Sequence, residues 1–194
     1  TLGSLGVGES RDRSLALTWP VGAISTGRME FTVTTDASGQ IFENNLADTA
    51  ESNNAAQSIV VSAPDLVVTN LVSDKSTPLT GELITLTWED INTGTVALTT
   101  GWFDRIRVTN QNTGALLVNQ QLRFDPPSGV SIAVGQSITR SFSFNLTEGN
   151  SGVGNLLIQV SADQNTGGIG SVAEVNAIGT AETNNTASLN VTST

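Results

Sequence analysis

Polar and apolar residues alternate with a period of two along most of this chain, and no segment shows the spacing of an amphipathic helix. The run 84–89 places apolar Ile, Leu and Trp between polar Thr, Thr and Glu, and the run 141–146 places Phe, Phe and Leu between Ser, Ser and Asn. One apolar and one polar face per strand is typical of an antiparallel β-sandwich.

This pattern predicts seven strands, which we label A, B, C, C′, E, F and G after the immunoglobulin fold. They cover Asp65–Ser73, Glu82–Asp90, Trp102–Asn110, Ala115–Arg123, Ser137–Leu146, Asn155–Asp163 and Thr186–Thr192. Thr, Val and Ile fill these segments, while Gly and Asn fill the gaps between them, as turns require. The predicted fold is therefore all-β: an immunoglobulin-like or fibronectin-III-like seven-stranded antiparallel sandwich.

The sequence of the last part of this predicted sandwich occurs twice in the chain. Residues 8–17 align with 135–144, and the match continues without a gap to Asp36 and Asp163. After a loop that is four residues longer in the second copy, residues 51–54 align with 182–185. A repeat of this length is a domain rather than a solenoid unit. We therefore predict that residues 1–62 are the C-terminal half of one sandwich (strands E, F and G). Residues 63–194 would be a complete sandwich, joined to the first unit by the short hinge Ser62–Asp65.

A half sandwich leaves its apolar face uncovered. The inward row of the first unit consists of Leu15, Leu17, Trp19, Met29, Phe31 and Val33. Covering such a row contributes on the order of 10 kcal/mol, which is comparable with the stability of a whole domain. We expect the missing strands to come from residues outside this sequence, if it is a fragment of a longer protein, or from another subunit by strand exchange.

Composition excludes several functions. The net charge is −10, from 18 acidic and 8 basic residues, and it disfavours nucleic acid and anionic membrane surfaces as partners. No leader peptide and no apolar run of about 18 residues is present, so we expect no membrane insertion. The chain has no Cys, His or Tyr, and Lys75 is its only Lys. These absences exclude thiolate and imidazole metal sites and nucleophilic triads, and no aromatic set accompanies a carboxylate pair. We expect no enzyme.

The predicted F–G loop carries oxygen ligands in both copies. They are Asp36, Glu43, Asn45, Glu51 and Asn53 in the first unit, and Asp163, Glu174, Asn176, Glu182 and Asn184 in the second. Ca²⁺ takes six to eight oxygen ligands from carboxylates and amides, so the loop predicts a Ca²⁺ site in each copy. The alternative is that these side chains cap turns by hydrogen bonding to the backbone, with no metal bound.

Two charged residues face the predicted core. Asp104 on strand C and Arg140 on strand E lie on inward rows near the same end of the sandwich, and a buried charge needs a partner. We expect Asp104 to pair with Arg140, the alternative being that each reaches solvent separately. Trp88, on the inward row of strand B, is predicted to be a core residue.

Other aromatic and basic residues suggest an interaction surface. Trp19 and Trp102 lie at strand ends, where a Trp can be partly exposed, while Phe103, Arg105 and Arg107 form the outward row of strand C. This stripe is predicted to meet a neighbouring domain or an acidic glycan, unless it is an ordinary solvated face.

Several short motifs resemble one known family. They are Ala63–Val68 opening strand A, Gly81 before strand B, Trp88, Gly101–Arg105, Gly135–Ser137 and Ala181–Asn185. In this order they resemble the bacterial cell-adhesion-related domain CARDB, an immunoglobulin-like sandwich found in tandem on secreted and surface proteins. The F–G connection, from Asp163 to Thr186, is longer than is usual in that family.

The resemblance implies a non-catalytic extracellular module that spaces or assembles a bacterial surface or secreted protein. Its partners would be neighbouring copies of the domain or other protein subunits, and strand exchange between chains is one expected route of assembly. The alternative is a carbohydrate-binding or accessory module of a secreted hydrolase, for which a glycan would be the ligand.

Overall fold

A computed structural model describes residues 4–19, 26–127 and 132–194. Its strands are β1 (Gly27–Thr34), β2 (Ala55–Ser62), β3 (Leu66–Ser73), β4 (Leu83–Asn92), β5 (Trp102–Asn110), β6 (Leu116–Phe124), β7 (Ser137–Asn145), β8 (Gly154–Ser161) and β9 (Thr186–Ser193). A 3-10 turn covers Ala50–Ser52. No helix in these ranges is long and apolar enough to cross a membrane.

Strands β3 to β9 form two antiparallel sheets, in the orders β3-β4-β7 and β6-β5-β8-β9. They correspond to strands A-B-E and C′-C-F-G, so the predicted all-β sandwich is confirmed. Apolar residues from both sheets form one core, in which Ile84, Trp88, Ile106 and Ile158 are completely buried. Strand β8 ends two residues before the predicted end of F because Asp163 adopts a positive φ of 48° and begins the loop.

The first unit consists of the hairpin β1–β2, which pairs with no other strand in the described part of the chain. The predicted strand E of this unit is not formed, since residues 9–19 contain no strand. The reason lies in the sheet order: β7, the equivalent of E, pairs with β4, and the described part of the first unit contains no counterpart of β4. The segment instead places Trp19 against Phe31 of β1, with ring centroids 6.0 Å apart.

Equivalent residues of the two hairpins differ in exposure. Val33 is 67% exposed, whereas its counterpart Val160 is completely buried. Val60 is 42% exposed, whereas its counterpart Val191 is 6% exposed. The hairpin β8–β9 is covered by the sheet β3-β4-β7, whereas no such sheet covers the hairpin β1–β2 among the residues that the structure describes.

Candidate functional site

The loop between β8 and β9 is organised around the carboxylate of Asp163. This carboxylate accepts hydrogen bonds from the backbone N–H of Ser171 at 2.9 Å and of Val172 at 2.8 Å. A Cβ on Gly170 would lie 2.6 Å from Asp163 Oδ2, so only glycine fits at that position. Asp163 is therefore the acceptor that closes the first part of the loop.

A second turn completes the loop. Glu182 Oε1 accepts the backbone N–H of Glu174 at 3.0 Å. Asn176 Oδ1 accepts the backbone N–H of Thr180 at 2.9 Å, and Asn176 Nδ2 donates to Thr180 Oγ1 at 3.1 Å. Side chains thus satisfy the backbone of the loop, which has no regular pairing partner of its own.

The finished loop holds the start of strand β3. Asn176 Nδ2 donates to Asp65 Oδ2 at 3.1 Å, and Asn184 Nδ2 donates to Asp65 Oδ1 at 3.0 Å. The backbone N–H of Leu66 donates to Glu174 Oε1, while Asn185 Nδ2 donates to Glu174 Oε2 at 2.5 Å. We call these contacts the strand latch; its residues are Asp65, Leu66, Glu174, Asn176, Asn184 and Asn185.

Burial changes the pKa of the acidic group in the latch. The Glu174 carboxyl group is buried, and this burial raises its pKa to about 8. The Leu66 N–H and the Asn185 amide oppose this rise, and the nearby charges of Asp163 and Glu182 add to it. Near neutral pH Glu174 therefore tends to hold a proton.

Strand β4 holds the same segment from the other side. Asn92 Oδ1 accepts the backbone N–H of Asp65 at 3.3 Å, and the backbone N–H of Thr93 donates to the Asp65 carbonyl at 2.7 Å. A Cβ on Gly94 would lie 2.4 Å from the carbonyl oxygen of Ala63 and 2.6 Å from the amide nitrogen of Asp65. The hinge therefore lies between the end of β4 and the β8–β9 loop.

The first unit contains the same loop. Asp36 accepts the backbone N–H groups of Gln40 and Ile41 at 2.9 and 2.8 Å. Glu51 Oε1 accepts the N–H of Glu43 at 2.8 Å, as its counterpart does in the second unit. Asn45 bonds the N–H and Oγ1 of the residue four positions on, Thr49, at 3.0 and 3.1 Å, again as in the second unit.

The latch of the first unit lacks a strand to hold. Glu43, Asn45, Asn53 and Asn54 are the counterparts of Glu174, Asn176, Asn184 and Asn185. Within the described ranges, no strand segment donates to the Glu43 carboxylate, and no Asp accepts from Asn45 or Asn53. The loop therefore adopts its folded form without the strand that occupies it in the complete unit.

The residues predicted to bind Ca²⁺ all lie in these two loops. No group of three or more acidic side chains converges as a metal site in the ranges that the structure describes. Asp36, Asp163, Glu51 and Glu182 each accept backbone N–H groups, which is the turn-capping role. Ca²⁺ binding stays a prediction that a titration tests.

A second cluster joins the two sheets inside the core. Arg140 Nε on β7 donates to Asp104 Oδ2 on β5 at 2.8 Å, which is the contact predicted from the inward rows. Arg140 Nη2 also donates to the carbonyl of Leu122 at 2.9 Å, and Asp104 Oδ1 accepts from Trp102 Nε1 at 2.8 Å. This cluster fastens β7 to β5 and β6.

A second acidic side chain, which was not predicted from the sequence, belongs to this cluster. Asp90 is completely buried, and its Oδ2 lies 3.6 Å from Arg140 Nε. Burial, followed by the charge of Asp104, raises the pKa of Asp90 to about 9. Burial also raises the pKa of Asp104, although Arg140 opposes the rise. Asp90 is therefore protonated at neutral pH, and Asp104, at 2.8 Å, is the acidic side chain that pairs with Arg140.

The predicted interaction surface is only partly formed. Trp102 is completely buried against Phe124, so its assignment as a surface residue was wrong. Trp102 lies on the same inward row of β5 as Asp104, so its side chain points into the core. Phe103, Arg105 and Arg107 are half-buried on the outward row, as predicted.

Part of the longer second loop covers this outward row. The N–H of Gln164 donates to the Phe103 carbonyl at 2.8 Å, and the N–H of Thr166 donates to Gln121 Oε1 at 2.9 Å. Arg105 Nε donates to Asn119 Oδ1 at 2.9 Å. Residues 164–168 of the second loop thus lie beside Phe103 and Arg105 of the basic stripe.

A search of solved structures found domains similar to about two thirds of this chain. The CARDB domain of the PF1109 protein from Pyrococcus furiosus, crystallised with di-metal ions, is 20% identical with a TM-score of 0.45; the match covers 69% of this chain and 90% of that chain. The solution structure of the same domain is 17% identical with a TM-score of 0.43, covering 69% and 97%. A β-glucosidase from Listeria innocua is 10% identical with a TM-score of 0.40, covering 67% of this chain and 16% of that one.

No protein-family model matches the chain, and no curated protein matches it. The structure itself establishes the two-sheet sandwich, and the sequence motifs carry the family resemblance. Residues 63–194 form a two-sheet antiparallel β-sandwich, which is preceded by a second copy of its last two strands.

Proposed function

We propose that this chain is a non-catalytic extracellular module that assembles or spaces a bacterial surface or secreted protein through the uncovered face of β1–β2. The observation that carries the proposal is the difference between the two hairpins. Val33 and Val60 are exposed, although their counterparts are buried beneath a second sheet. An apolar strand face of this kind marks a protein interaction site.

The buried carboxylates support a non-catalytic role. Asp90 and Asp104 have the chemistry of an acid–base pair, but both are completely buried between the sheets, where no substrate reaches them. The sequence contains no His, Cys or Tyr that a different site would use. The acidic surface and the lack of cysteine agree with an exported protein.

One observation favours the alternative of glycan binding. Leu17, Trp19, Met29 and Phe31 line a cleft of about 340 Å³. The Trp19 and Phe31 rings are tilted by 39°, so they do not form the flat platform on which a sugar ring stacks. Quenching of Trp19 fluorescence by an oligosaccharide, lost in Trp19→Ala, would favour this alternative over assembly.

Light scattering of the whole chain between micromolar and millimolar concentrations tests assembly. We expect self-association that Val33→Glu abolishes, because a carboxylate on the apolar face opposes its burial. Val72→Glu is the matched control, since Val72 is a strand valine of the complete unit with a similar exposure of 55%. A chain that stays monomeric throughout, or one for which both substitutions act equally, contradicts the proposal.

A further inference from the structure

We infer that the loop of the first unit is a docking site for a particular kind of strand: one that opens with Asp followed by an aliphatic residue. The occupant is the first strand of another unit of this type, equivalent to residues 63–69. This inference rests on the proposed function, for which it names the chemistry of the partner.

The complete unit shows how such a strand is recognised. Two amide groups, from Asn176 and Asn184, each donate to one oxygen of the Asp65 carboxylate. Because both oxygens are used, the pair selects a carboxylate at this position. The Glu174 carboxyl group accepts the next backbone N–H, that of Leu66, which fixes the position of the strand along the loop.

The first unit repeats every one of these donors and acceptors. Asn45 and Asn53 supply the two amides, and Glu43 supplies the carboxyl group. The internal bonds of this loop match those of the second loop, including the N–H of Thr35 donating to the Asn54 carbonyl at 2.9 Å and that of Ala162 to the Asn185 carbonyl at 3.0 Å. The site is therefore preformed before any strand arrives.

Preformation matters for affinity and selectivity. A loop that is already folded does not lose conformational entropy when it binds, so more of the interaction energy remains available. Asn45 and Asn53 are exposed, so a partner strand reaches them without displacing other protein. A partner lacking the Asp would leave both amides without their acceptor in the interface, which selects against it.

This docking site can be tested by attaching a strand peptide to the whole chain as a probe. A peptide with the sequence of residues 62–74 is joined to the N-terminus by a flexible Gly/Ser linker, which provides an effective concentration in the millimolar range. We expect NMR signals of the Asn45 and Asn53 side-chain amides to shift and their hydrogen exchange to slow. In a second chain the peptide carries Asp65→Ala, and we expect about tenfold less of the bound form.

Asn45→Ala with Asn53→Ala should have the same effect as the altered peptide. Unchanged Asn45 and Asn53 signals, or equal shifts with both peptides, overturn the inference. Shifts confined to Asn176 and Asn184 also overturn it, since the peptide would then be replacing β3 in the complete unit. If self-association persists undiminished when Asn45 and Asn53 are both alanine, the assembly proposal stands and this assignment of the partner fails.

Discussion

Replacing Asp90 by Asn is expected to stabilise the protein increasingly as the pH rises. Asp90 has a pKa of about 9 in the folded protein, whereas an Asp in an unfolded chain titrates near pH 4. Between these values the folded protein keeps a proton that the unfolded chain has released. The free energy of unfolding of the wild type therefore falls with rising pH, and Asn removes this dependence while preserving the shape of the side chain.

The geometry sets the size of the effect. One fully linked proton changes the free energy of unfolding by about 1.4 kcal/mol per pH unit, so the upper limit between pH 5 and pH 8 is about 4 kcal/mol. Arg140 Nε lies 3.6 Å from Asp90 Oδ2 and favours the ionised form as the pH rises. We therefore expect a relative gain of at least about 1 kcal/mol over this range.

Urea unfolding at pH 5, 6, 7 and 8, followed by the fluorescence of the buried Trp88 and Trp102, measures this gain. Glu89→Gln, which lies on the opposite face of β4, is the matched control, since it replaces a neighbouring acidic side chain that lies outside the core. Asp104→Asn should instead destabilise the protein by about 3–5 kcal/mol at pH 5, because it leaves Arg140 without its acidic partner. A difference between Asp90→Asn and wild type that does not change with pH refutes the protonated state of Asp90.

Three further predictions concern the latch and its loops. Glu174→Gln should also become more stable relative to the wild type as the pH rises from 5 to 8, because the pKa of Glu174 is raised to about 8. A difference in the free energy of unfolding in urea that does not change with pH contradicts this. Gly94→Ala should destabilise the complete unit by about 1–3 kcal/mol in the same assay, because its Cβ meets the hinge backbone; an unchanged stability would mean that the hinge is loosely packed. If Ca²⁺ binds the loop of the complete unit, millimolar Ca²⁺ should raise the melting temperature, and Asp163→Asn should abolish this rise. An unchanged melting temperature would leave only the turn-capping role.

Local alternation made the sandwich predictable. Strands β4 and β5 bury alternate residues, so the period of two located both these strands and their inward rows. The same rule placed Asp104 and Arg140 inside and near one end. Applied consistently, it also places Trp102 inside with Asp104, and Asp90 inside with Trp88.

Features that depend on distant partners were less predictable. The segment before β1 has the alternation of a strand, but a strand also needs a hydrogen-bonding neighbour, and none is present there in the described ranges. The latch joins Asp65 to Asn176 and Asn184, which are more than 100 positions away in sequence, so no local pattern reveals it. The repeated Asn and Glu positions were the available signal, and they indicated turn capping or Ca²⁺ binding rather than contact with a strand.

Hydrogen exchange of the whole chain, measured at the equivalent strands β1 and β8, tests the central claim most directly. If β1–β2 is a hairpin without its covering sheet, the backbone amides of Phe31 and Val33 should exchange far faster than those of Ile158 and Val160. At low protein concentration the expected protection of β1 is close to that of an isolated hairpin. Equal protection of the two strands under those conditions would contradict the account, because it would show that the first unit covers its own apolar face.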